Sequence, residues 1–170
     1  MNCRNVKLLD SSKVICERDN SGKFEVRTTE LTCLMVACIM GQLKNVKQIV
    51  EIARQKLSPD QFTLFINIKV CRAMGGNNAL LYVCNSSTLN DKIFKYLITE
   101  AGADLDVIND YEINCLLLAT KKQQINILYL LLENGVDIRY KDKTGCNALH
   151  FAATGGHYDI IKTILVYLHR

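Results

Sequence analysis

Asp142-Lys143-Thr144-Gly145-Cys146-Asn147-Ala148-Leu149-His150-Phe151-Ala152-Ala153-Thr154-Gly155-Gly156-His157 reads as a turn, one short helix and a stop. Asp142 can bond its own backbone, and Gly145 can take φ > 0 at no steric cost. Ala148, Leu149, Ala152 and Ala153 suit a helix packed closely against neighbours, and Gly155-Gly156 ends it. A second helix opens near Tyr158, with Asp159 in its first turn complementing the helix dipole. Ile160, Ile161, Ile164, Leu165 and Leu168 fall at i, i+1, i+4, i+5 and i+8, a broad apolar stripe. Neither helix can bury that much surface alone, so the unit needs copies of itself beside it.

Order and spacing here resemble the ankyrin repeat, whose D-x-x-G-x-T-P-L-H-x-A-A-x-x-G-H pattern is met at Asp142, Gly145, Leu149, His150, Ala152, Ala153, Gly156 and His157. Asn147 and Ala148 stand for the usual Thr-Pro. The resemblance implies an all-α ankyrin-repeat solenoid of stacked helix-turn-helix units joined by β-hairpin loops.

Working backwards, Leu116 and Leu149, Ala119 and Ala152, Leu131 and Ile164, and Leu132 and Leu165 each stand 33 residues apart, the family's period. In that third unit Asn109 stands where Asp142 does, and Glu112 takes the glycine position, which questions the hairpin's backbone geometry. The second unit carries Ala79-Leu80-Leu81, Val83-Cys84, Ile93, Tyr96, Leu97 and Ile98, with Asn90 or Asp91 capping its second helix. The first carries Thr32-Cys33-Leu34-Met35-Val36-Ala37-Cys38, a break at Gly41, then Val46, Ile49, Val50 and Ala53. Repeats are expected over 29–68, 69–106, 107–139 and 140–170. The first runs long, with an excess over 54–76. There Ser58-Pro59-Asp60-Gln61 predicts a capped helix start, Ile66-Asn67-Ile68 an extended lead into a hairpin, and Lys69 to Gly76 an enlarged finger. That finger is either a contact device or a tolerated surface insertion. Residues 1–28 do not match the repeat. Val14, Cys16, Phe24 and Val26 alternate around Asp19-Asn20-Ser21-Gly22, which predicts a β-hairpin cap over the open end of the stack; the competing reading is a disordered leader.

The last repeat matches best, although terminal repeats usually carry a polar outer face. Its second helix still presents Ile161, Leu165 and Leu168, which predicts a fragment of a longer array; a dimer contact or a compact end is the alternative. Composition fits one folded domain, at 49% hydrophobic and 22% charged residues. A net charge of +4 falls short of a dedicated nucleic-acid binder. No apolar run reaches the roughly 20 residues of a membrane span, and Met1-Asn2-Cys3-Arg4 does not begin a signal peptide. Eight cysteines fall at repeat positions or are scattered, without a C-x-x-C pair, so no metal site is expected. Cysteine used as a small hydrophobe fits an intracellular, cytoplasmic or nuclear location.

Enzymatic readings find no support in the residues. His150 and His157 sit where the repeat places histidine to bond neighbouring backbone, and Gly75-Gly76 and Gly155-Gly156 lack a phosphate-binding context. No nucleophile signature or carboxylate pair stands out, and no cofactor is implied. The resemblance instead implies a non-catalytic interaction module, a scaffold or an inhibitor. It would bind along a concave strip of hairpin tips and inner faces of first helices. Carried over by position, that strip holds Thr28, Thr29, Leu31, Ile39 and Met40, then Met74, Gly75, Asn77, Asn85 and Ser86. It continues through Asp110, Tyr111, Ile113, Lys121 and Lys122 to Lys143, Thr144, Cys146, Thr154 and Gly155. Its early part is apolar. Its later part is basic, with Lys121, Lys122, Lys141 and Lys143 around Tyr111. A protein or peptide with an apolar anchor followed by acidic residues complements both halves, unless the lysines are an ordinary solvated face. Alternatives are nucleotide or RNA binding, with Tyr111 as a stacking platform, and a targeting segment of a larger enzyme. The chain's wealth of Asn, Ile and Lys, typical of AT-rich genomes, adds a pathogen effector engaging a host protein.

Overall fold

A computed structural model describes residues 13–18, 22–86 and 90–169. The chain start, Asp19-Asn20-Ser21 of the expected hairpin turn, the middle of the loop at 87–89 and Arg170 lie outside them.

Four inner helices start by one device. Thr32, Asn78, Asn114 and Asn147 are the N-caps of α1 (Cys33–Ile39), α4 (Ala79–Asn85), α6 (Cys115–Lys121) and α8 (Ala148–Gly155). Their side-chain oxygens accept from the amides of Met35, Leu81, Leu117 and His150, donors that a helix start leaves without partners. After α1, α6 and α8 the chain reverses through left-handed residues at Gly41, Gln123 and Gly156. Each inner helix is followed by an outer one: α2 (Leu43–Lys56), α5 (Asp91–Thr99), α7 (Ile125–Glu133) and α9 (Tyr158–Leu168). Inner helices pack on inner helices and outer on outer, as the period of 33 requires. The core between the layers is built from Leu34, Val46, Leu80, Phe94, Leu116, Leu128, Ala152 and Ile164, all fully buried.

The two ends of the stack differ. Ile93, Ile127 and Ile160 share one position in successive outer helices and are each at most 2% exposed. The first repeat has Asn45 there, exposed and bonded to Gln42, which gives that end of the outer layer a polar surface. At the opposite end, Leu165 is 42% exposed where Val50 of the first repeat is fully buried. Ile161 and Leu168 pack partly against the core.

The long first repeat contains an extra helix, α3 (Pro59–Asn67), with Ser58 and Gln61 forming the expected capping box. The extended lead expected at Ile66-Asn67-Ile68 is corrected: Ile66 and Asn67 are helical, and only Ile68 is extended. Burying Phe65 and Ile66, with Phe62 one turn earlier packed on the core, carries the helix further than local turn chemistry suggests. The finger that follows holds β3 (Lys69–Val70) and a 3-10 turn, Arg72–Met74. The N-terminal hairpin forms from β1 (Val14–Arg18) and β2 (Phe24–Thr28), antiparallel. β2 then pairs in parallel with β3, and the Cys71 amide donates to the Thr28 carbonyl at 2.8 Å. The hairpin is therefore attached to the finger of the second repeat.

Candidate functional site

Successive fingers are bridged by their own backbone and side chains. The Asp110 amide donates to the Gly75 carbonyl at 3.2 Å, and Asn109 Nδ2 donates to Asn77 Oδ1 at 3.1 Å. Glu112, in the glycine position, takes φ of +57°, so the third hairpin keeps the repeat's geometry despite the substitution. Asn109 holds it there by accepting from the Tyr111 and Ile113 amides, while the Tyr140 hydroxyl donates to the Glu112 carbonyl at 2.8 Å. In the fourth hairpin Asp142 accepts from the Thr144 hydroxyl and from the amides of Thr144 and Cys146. Burial raises the pKa of this carboxyl, but those hydrogen bonds and Lys143 outweigh it and hold the group below its ordinary value.

Asp110, expected on the open strip, is engaged inside the molecule. Arg27 of β2 is 1% exposed, and both of its terminal nitrogens donate to the Asp110 carboxylate at 2.7 Å. Glu25 accepts from the same guanidinium at 2.9 and 3.1 Å, and Lys69 of β3 pairs with Glu25 at 3.0 Å. A planar fork facing a carboxylate explains why arginine stands here. Desolvation this deep requires such neutralisation. Thr28 is likewise buried within β2.

The other strip residues form three groups. Tyr111 is half exposed, with the Lys143 ammonium 4.9 Å from its ring centroid. Its edge lies against Gly75, where an added Cβ would stand 3.1 Å from the ring. Lys121, Cys146 and Thr154 meet at a hollow of 260 Å³ between α6 and α8, joined there by His150, Phe151 and Gly155. Lys121 and Thr154 occupy the same position in adjacent repeats, so stacking brings them together. The hollow's use of His150 and Phe151 was missed from sequence, because the repeat pattern accounts for His150 within its own helix. That bond does exist: Nδ1 reaches the Asn147 amide at 3.3 Å. Lys122, Thr144 and Met40 are exposed, the last 62% so, and Leu31 and Met74 are partly so. Ile39, Ile113, Asn85 and Ser86 are half-buried, the Ser86 carbonyl accepting from Gln124. The structure thus separates the strip into an apolar part at Leu31 and Met40, a finger ridge at Met74, Tyr111 and Lys143, and the hollow.

Little in these groups suggests chemistry. Among the described residues no cluster of His, Cys, Asp or Glu could hold a metal ion, and the seven described cysteines are free. Burial pushes the Cys38 thiol up to about 12 and that of Cys84 well above its ordinary value, which suits packing rather than nucleophilic attack. A larger open groove of 530 Å³ lies on the outer layer between α7 and α9, where the Tyr129 and Thr163 hydroxyls stand 3.3 Å apart. No described helix is long and apolar enough to cross a membrane.

A family model described as ankyrin repeats, in three copies, matches residues 80–169, the span from α4 to the end of α9. A search of the curated proteins finds no match.

Proposed function

Because the chain belongs to the ankyrin repeat family, we propose that it is a non-catalytic module, a scaffold or an inhibitor, holding an intracellular protein or peptide along its fingers and inner helices. Ankyrin repeats are generally protein–protein interaction modules and typically non-catalytic. The observation that carries the reading is one-sided chemistry. Lys121, Lys122, Lys141 and Lys143 are exposed, and none makes an ion pair among the described residues. Leu31, Met40 and Met74 supply exposed apolar surface on the earlier part of the strip. A partner with an apolar anchor and acidic residues fits this distribution, the charges setting encounter rate and specificity more than affinity. The test is capture of a partner from cell lysate, then association kinetics of the purified pair at two salt concentrations. Lys121→Glu with Lys122→Glu slows association and flattens its salt dependence. Unchanged binding would place the docking surface elsewhere.

RNA binding is the second reading, supported by the same lysines around Tyr111. Against it, Lys143 already covers a face of that ring and Gly75 its edge, which leaves a poor stacking platform. Titration with short RNAs at two salt concentrations separates the readings, since phosphate-driven affinity falls steeply with salt.

A further inference from the structure

We infer that the hollow between α6 and α8 is the anchor point for a linear peptide carrying one bulky apolar side chain with a carboxylate beside it. The inference rests on the reading that the strip is the docking side, and it moves the decisive anchor from the apolar first repeat to the basic last two. At 260 Å³ the hollow lies just under the roughly 300 Å³ at which small-molecule pockets begin, and so has room for a single large side chain. Phe151 and Cys146, both half-buried, give it apolar lining. Gly155 keeps its rim low, and a Cβ at that position would run into the His157 imidazole.

Charge selects the neighbour of the apolar group. Lys121 stands at the hollow itself, with Lys122 next in the chain and Lys143 on the adjoining finger. The fingers' own aspartates already have partners: Asp110 holds Arg27, and Asp142 accepts from Thr144 and Cys146. Lys143 has Asp142 beside it, but Lys121 and Lys122 make no ion pair among the described residues, and a carboxylate arriving beside the anchored side chain supplies their counter-charge. A polyphosphate would satisfy the same lysines but has no group for an apolar hollow. A peptide satisfies both.

The test uses the full chain as bait for a library of displayed random peptides, then fluorescence anisotropy with the most enriched peptide. The enriched sequences share a large aliphatic or aromatic residue next to Asp or Glu. Thr154→Trp fills the hollow from an exposed position whose hydroxyl bonds only its own helix, so the melting curve is kept. This variant weakens the peptide by about tenfold or more, whereas Met40→Asp changes binding by less than about twofold. Lys121→Glu weakens it severalfold and reduces its dependence on salt. Absence of enrichment, an enriched set without acidic residues, or binding that survives Thr154→Trp overturns the inference. So does a short RNA that displaces the peptide from wild type and still binds Thr154→Trp. If Met40→Asp abolishes binding and Thr154→Trp does not, the strip remains the docking side and only the hollow is wrong. If only Tyr129→Asp on the outer layer matters, both readings fall.

Discussion

Replacing Arg27 by Met keeps most of the buried stem and removes the guanidinium. Asp110, its side chain only 9% exposed, then loses the guanidinium that neutralises it, while Glu25 keeps Lys69. Leaving such a charge uncompensated costs about 3–5 kcal/mol, a large share of the roughly 5–15 kcal/mol that holds a domain together. Asp110→Asn is milder. Arg27 keeps Glu25 at 2.9 Å and an amide oxygen still accepts, so the expected loss is about 1–3 kcal/mol. The double variant loses less than the two single losses added, because each removes what the other would strand. Arg27 ties the N-terminal hairpin to the third repeat, so the damage is local. The amides of Val70 and Cys71, which donate to Asn77 and Thr28, exchange faster, while those of α9 change little. Urea unfolding followed by circular dichroism and native-state hydrogen exchange supply both numbers. An Arg27→Met loss below about 1 kcal/mol, with unchanged exchange at Cys71, refutes the buried pair as the hairpin's anchor.

Two other expectations are simpler to check. Glu112→Gly at φ of +57° relieves left-handed strain and raises stability by about 0.5–1 kcal/mol in thermal melts, whereas Gly145→Glu at φ of +82° lowers it. Cys38 and Cys84 stay unreactive toward a thiol reagent until the chain unfolds, while exposed Cys16 reacts at once. Because folding raises the Cys38 pKa to about 12, its contribution is present below the unfolded thiol's roughly 8.5 and falls as pH rises toward the folded value. A melting temperature that rises between pH 8 and pH 10 contradicts that sign.

The repeats were legible because their signals are local. Periodicity, the N-cap series from Thr32 to Asn147 and the Ser58 capping box each involve residues close in the chain. Glu112 was legible only as a question, since its left-handed backbone depends on Asn109 and Tyr140. Arg27 and Asp110 are 83 residues apart and polar, so no pattern joins them, and Asp110 read as a surface residue. The parallel pairing of β2 with β3 is invisible for the same reason. Within the site, Lys121 and Thr154 differ by one period, so their meeting could have been read from stacking alone. The part played by Phe151 and His150 could not, because it depends on which helix faces are left uncovered.

Hydrogen exchange of the chain with and without a bound partner, mapped residue by residue, tests the central claim most directly. Docking on the fingers and inner helices protects the amides around Tyr111, Lys122 and Thr144, and leaves the outward sides of α5, α7 and α9 unchanged. Protection confined to those outer helices contradicts it.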